Sequence, residues 1–140
     1  MKKMNNKGFS LVELIIVIAI MAILIAVLAP QYLKYVEKSR ESADLDNWQA
    51  ILSAMQVAYA DVDDPVTVSA SVKCTGKNSA VQADSALASA FASLGTDVSN
   101  MKMKSTKFSN ASLSATVNAS TGVVTISCSN ASLKASLGLK

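Results

Sequence analysis

The sequence predicts an α+β chain: one long N-terminal helix packed against a small antiparallel β-sheet, with a short second helix. Three observations carry that prediction. Residues 14–29 are all Ala, Ile, Leu, Val or Met. Leu45, Trp48, Leu52, Met55 and Tyr59 then recur at steps of three and four, the stripe of an amphipathic helix. Near the C-terminus, Leu113, Ala115 and Val117 alternate with polar residues, as do Val124, Ile126 and Cys128. Between them Asn118–Gly122 supplies the residues of a turn, so the pair reads as a hairpin.

The elements follow in order, in four segments: 1–8, 9–30, 31–60 and 61–140. The first, MKKMNNKG, carries Lys2, Lys3 and Lys7 but no apolar stretch. An ordinary secretory signal places its apolar segment before the cut. Here that segment follows Gly8, so cleavage at Gly8 would leave the helix in the mature chain. Phe9–Ala29 makes about 31 Å of helix, matching a hydrocarbon core of roughly 30 Å. The lysines hold the N-terminus on the cytoplasmic side, which sends the C-terminal part outward. Pro30 removes a donor and crowds the preceding turn, so a kink or an unwound stretch is expected there. Tyr32 and Tyr35 follow at interface depth. Within the span Glu13 alone is ionisable, and so costly a placement calls for a partner.

The helix continues as the amphipathic second half, 31–60, whose stripe seeks a partner in the globular part. Asp61, Asp63, Asp64 and Pro65 end it. Without a glycine or glutamate at loop spacing these carboxylates read as a solvated helix end rather than a calcium loop. Val66 to Cys74 alternates as a strand, and Thr75–Asn78 turns the chain. Leu87, Phe91 and Leu94 mark the short helix, closed by Gly95, and a further strand is expected over 98–108. "SNASL" at 109–113 and again at 129–133 reads as two polar connectors. Asn110, Asn118 and Asn130 head sequons, which by themselves show surface exposure only. Lys102, Lys104 and Lys107 form a modest basic cluster, read as a solvated strand face, with contact to DNA or another surface, multiplied along a filament, as the alternative.

Composition narrows the function classes. There is no histidine, which removes the commonest general base and metal ligand. No Gly-rich phosphate loop and no acid–base constellation appears, so no catalytic residue, metal or cofactor is expected. The net charge of +3 is supplied by Lys2, Lys3 and Lys7, and the rest of the chain is balanced. The spacing of Cys74 and Cys128 is neither a redox nor a zinc pattern. In an exported head a Cys74–Cys128 disulfide is the natural reading, worth roughly 4 kcal/mol in the chain-entropy model. Two unpaired buried thiols are the alternative.

Gly8-Phe9-Ser10-Leu11-Val12-Glu13-Leu14 resembles the processing motif of type IV prepilins and pseudopilins, and Pro30, Tyr32 and Tyr35 also fit that pattern. The likeness covers about the first 35 residues. It implies cleavage between Gly8 and Phe9 by a prepilin peptidase, N-methylation of Phe9 and assembly into a helical filament of identical subunits. Glu13 would then meet a neighbour's Phe9 amine and fix the register of an otherwise featureless apolar seam. The resemblance further implies a single-pass subunit of the cytoplasmic membrane with its head outside. An inner-membrane assembly platform then moves it into a surface pilus that serves adhesion, motility or DNA uptake. A major pilin is the leading reading. A pseudopilin of a type II secretion or competence machine and a minor pilin are the alternatives. Major secretion pseudopilins resemble one another in acidic calcium ligands near the C-terminus, whereas no acidic residue follows Asp97 here. A membrane-anchored receptor would have no use for Gly8 and Glu13.

Overall fold

The computed structural model describes residues 8–61 and 66–139. The leader lysines and the acidic positions 62–65 lie outside them. The chain divides into two compact units, residues 1–36 and 37–140.

In the first unit the dominant element is the start of α1 (Leu11–Ala60). Its onset two residues after Phe9 is the usual fraying of a helix end. From Phe9 to Tyr35 every large apolar side chain is exposed, Phe9 by 90% and Val17, the least, by 49%. By length and composition the helix can cross a membrane. Pro30 lies inside α1, which continues across it.

The second unit holds the core. Its part of α1 buries Trp48, Ile51, Leu52, Ala54, Met55 and Ala58, with Leu45 and Tyr59 half-buried at the margins. The stripe read from the sequence is therefore real, and Ile51, Ala54 and Ala58 beside its members widen it. Against it packs a four-stranded antiparallel sheet in the order β2-β1-β3-β4. The strands are β1 (Ala70–Lys73), β2 (Gln82–Ala83), β3 (Ser112–Val117) and β4 (Val124–Cys128). Strand alternation sends Ala70, Val72, Leu113 and Ala115 into the core. Lys73, Thr116, Thr125 and Ser127, at the opposite parity, are exposed. Helix α2 (Ser85–Ser93) adds Leu87 and Phe91. It ends in a Schellman motif: Thr96 N–H donates to Phe91 C=O at 2.8 Å and Gly95 N–H to Ala92 C=O at 3.2 Å. Gly95 accepts the required φ of +70°, which a side chain would resist.

Two expectations need correction. The stretch expected as a strand, 98–108, contributes one isolated bridge, Ala80 with Lys102, and then turns. Its backbone donors are diverted to helix carboxylates, as described below. The second "SNASL" opens a helix, α3 (Ala131–Ser136), instead of connecting elements. Asn130 caps it by accepting Leu133 N–H at 3.0 Å, and Leu133 is fully buried.

Candidate assembly site

Three groups of side chains carry the polar chemistry of the described residues. The first is at the start of α1. Gly8 is exposed, with open space where a Cβ would sit, so the backbone between Gly8 and Phe9 is accessible. Ser10 C=O accepts Leu14 N–H at 3.2 Å, the first helical bond. Ser10 N–H donates to Glu13 Oε2 at 2.9 Å. Ser10 and Glu13 stand at the cap and the third helical position, the spacing by which a glutamate reaches back to satisfy an orphan donor. The partial positive charge of the helix start favours the carboxylate there too. The sequence reading recognised Glu13 as out of place in an apolar run but overlooked this Ser-x-x-Glu cap. Pro30 lies well along α1, apart from this group.

The second group lies in the second unit and was not anticipated. Glu37, Glu41 and Asp44 follow steps of four and three on α1, hence one helix face. Asp44 is 1% exposed and accepts Lys104 N–H at 2.9 Å and Ser105 N–H at 2.6 Å. Glu37 accepts Thr106 N–H at 2.6 Å and the Thr106 hydroxyl at 2.8 Å. Those bonds, the backbone one first, hold the Glu37 carboxyl below its ordinary pKa. Glu41 pairs with Lys107 Nζ at 3.2 Å. Three successive amides of the 104–106 segment are thus tied to carboxylates of α1. In the sequence these acids stand some sixty residues away, which hides the pairing.

The third group is the cysteines, and here the disulfide expectation fails. Both thiols are free, Cys74 buried and Cys128 half-buried. Strand order explains it: β3 runs between β1 and β4, and Leu113 pairs with Val72 on one side and Cys128 on the other. Two strand spacings separate the cysteine-bearing chains by more than about 9 Å, beyond the roughly 7 Å that a disulfide spans. Cys74 Sγ instead lies 3.4 Å from Gly76 C=O, and Cys128 Sγ 3.5 Å from Asn130 C=O. Burial pushes the Cys128 thiol above its ordinary pKa, so little thiolate is present at neutral pH. Iodoacetamide at neutral pH is accordingly expected to label Cys128 slowly and Cys74 only after unfolding. Intact mass should not change on reduction, and a gain of two hydrogens would contradict the strand order.

Among the sequons, Asn130 is committed through both ends of its amide, Oδ1 to Leu133 N–H and Nδ2 to Lys107 C=O at 3.0 Å. Asn118 Oδ1 accepts Ser120 N–H at 2.9 Å within its own turn, and Asn110 is exposed. Among the described residues no group of three or more His, Cys, Asp or Glu is placed to hold a metal ion.

Comparison with known proteins bears on the first group. Residues 3–29 match the family model of the prokaryotic N-terminal methylation motif. The chain is 36% identical over 59 residues to the type IV major pilin protein PilA of Myxococcus xanthus, covering 42% of this chain and 27% of that protein. It is 35% identical over 82 residues to prepilin peptidase-dependent protein A of Clostridium perfringens, covering 57% of each. The type IV major fimbrial protein FimA of Dichelobacter nodosus is 37% identical over 59 residues, 42% of this chain and 38% of that protein. The matches therefore span from about a quarter to under three-fifths of those relatives' lengths. No solved structure matches. The start of this chain thus carries the prokaryotic N-terminal methylation motif ahead of an exposed apolar helix, and type IV major pilins are among the proteins it is similar to.

Proposed function

We propose that the chain is a structural subunit, the major pilin, of a type IV pilus. The observation that carries this reading is the α1 segment whose large apolar side chains are all exposed, with one acid a turn beyond Phe9. Before assembly that segment spans the cytoplasmic membrane with the head outside. A prepilin peptidase hydrolyses the Gly8–Phe9 peptide bond, leaving a carboxyl on Gly8 and an amine on Phe9, which is then N-methylated. An assembly platform in the inner membrane adds the processed subunit to a filament, where α1 packs against sister helices.

Glu13 sets the register. A carboxylate in hydrocarbon costs a few kcal/mol, and a neighbour's Phe9 ammonium offsets that cost only where the two meet. An added subunit is therefore stable in one register and unstable in those beside it. Pro30, where the ring cannot donate to the preceding turn, is the place at which α1 would bend to follow the filament. The names of the pilin relatives support the major-pilin reading. Prepilin peptidase-dependent protein A is named only for its processing.

Intact mass spectrometry of filaments sheared from cells tests the proposal. The expected species begins at methylated Phe9. Processed chain confined to membranes would instead mark a pseudopilin or scarce minor subunit. Chain still beginning at Met1 in cells with an active prepilin peptidase would overturn the proposal.

A further inference from the structure

The two edges of the sheet are finished differently. The chain entering β2 is flanked by the 101–103 segment: Val81 N–H donates to Met101 C=O at 3.0 Å, and Ala80 bridges Lys102. β4 pairs with β3 alone. At its ends Asn118 N–H donates to Val123 C=O at 2.9 Å and Ser129 N–H to Ser112 C=O at 3.0 Å. Ladder bonds alternate along an antiparallel pair, so Thr125 and Ser127 bond to β3 while the N–H and C=O groups of Val124, Ile126 and Cys128 point away from it. Among the described residues no backbone hydrogen bond reaches those outward groups. Residues 123–129 hold no charge and no proline, the usual guards against strand addition. Val124, Ile126 and Cys128 face the core yet are only half-buried, as the last strand of a sheet leaves them. Beside them a groove of about 370 Å³ is lined by Gln56, Tyr59, Ala60, Val124, Ile126 and Leu139. Asp61 lines a separate groove, with Ala58 and residues of α2.

We infer that this edge takes the β4 strand of a second copy of the chain, antiparallel, about a two-fold axis through Ile126. An uncharged strand with apolar residues at alternate positions is what the edge and its groove require, and β4 is such a strand. In this register Ile126 meets Ile126 of the copy, Val124 meets Cys128, and Thr125 meets Ser127. The outward N–H and C=O groups then pair in about six bonds. A shift by one residue would set them against groups already used by β3. Side chains agree with the register. The copy brings Val, Ile and Cys over the groove and the half-buried side of β4, and sets Thr against Ser on the outer face, a favourable cross-strand pair. Charge does not oppose it. Lys134 acts on Cys128 at one end of the strand. The two Cys128 positions would stand about 14 Å apart, beyond the screening length of roughly 10 Å. Such a contact closes after two subunits, so it is separate from the head-to-tail contact by which a filament grows, and it does not depend on the filament reading.

Full-length chain solubilised in detergent tests this without filament assembly. In a Cys128→Ser background one sample carries Thr125→Cys and another Ser127→Cys, both at exposed positions. Across the two-fold, positions 125 and 127 stand opposite with Cα atoms about 4.5 Å apart, whereas each lies roughly 7–8 Å from its own twin. Only the first separation suits a disulfide. Mild oxidation of the mixed samples is expected to give severalfold more covalent dimer than either sample alone. Equal yields in all three, or no dimer in the mixture, would overturn the inference. The unsubstituted chain gives a second readout. Raising its concentration should slow hydrogen exchange at the amides of Val124, Ile126 and Cys128, and leave Thr125 and Ser127, already bonded to β3, as they were. Exchange at the first three that ignores concentration would overturn the inference too.

Discussion

Glu13→Ala is expected to abolish sheared filaments while leaving processed chain in the membrane at its normal level. Removing one member of a buried charge pair strands the other, at a cost of roughly 3–5 kcal/mol. Here the stranded group would be the neighbour's Phe9 ammonium. Each subunit added would meet that cost, lowering its affinity for the growing end about a hundredfold or more. The substitution also removes the acceptor for Ser10 N–H, but a helix cap is worth only about 1 kcal/mol at an end that already frays. Loss of the cap alone therefore cannot produce the phenotype. Glu13→Gln separates the two roles, because its amide oxygen can still take Ser10 N–H but carries no charge. Filaments lost in both variants assign the effect to charge. Filaments in normal yield from Glu13→Ala would remove Glu13 from assembly altogether.

The second large effect is expected at Asp44. Asp44→Ala deletes two bonds to the amides of Lys104 and Ser105, the latter on a fully buried residue. Donors left without partners in the interior cost about 1–3 kcal/mol each. A destabilisation of roughly 3 kcal/mol follows, which for a unit of this size lowers Tm by about 10–20 °C. The chain has one tryptophan, Trp48, fully buried one helical turn beyond Asp44. Its fluorescence reports unfolding of the second unit directly. Asp44→Asn keeps the shape and one acceptor oxygen, so its loss should be smaller. A Tm for Asp44→Ala within a degree or two of the parent would show that the 104–106 segment is held by other contacts.

These two residues also mark where the sequence was legible and where it was not. Glu13 stood out because its surroundings are uniform, and local contrast is visible in one dimension. The α1 stripe and the β3–β4 hairpin were legible for the same reason: period and turn chemistry are local. The hairpin pairs Val117 with Val124, as its alternation implied. Asp44 gave no such signal, since nothing local says that its partners lie near residue 105. The same long-range bonds explain the strand wrongly expected over 98–108. Amides that could have joined a ladder were claimed by a helix sixty residues earlier. The cysteines failed differently, because compartment and spacing suggest pairing but only strand order reveals a strand in between. α3 had local signals, Asn130 at its start and Gly138 past its end, but six residues are too few to show a period.

The uncovered surface of α1 has a thermodynamic consequence for the assembly proposed above. Apolar side chains that leave lipid for a bundle of sister helices exchange one hydrocarbon-like environment for another. Little water is released, so the hydrophobic effect contributes little to polymerisation. What remains is packing, a single charge pair per subunit and contacts between heads. Such a filament sits close to balance with its membrane pool. It can be lengthened or withdrawn by modest mechanical work, with the bilayer serving as a reservoir to which subunits return intact.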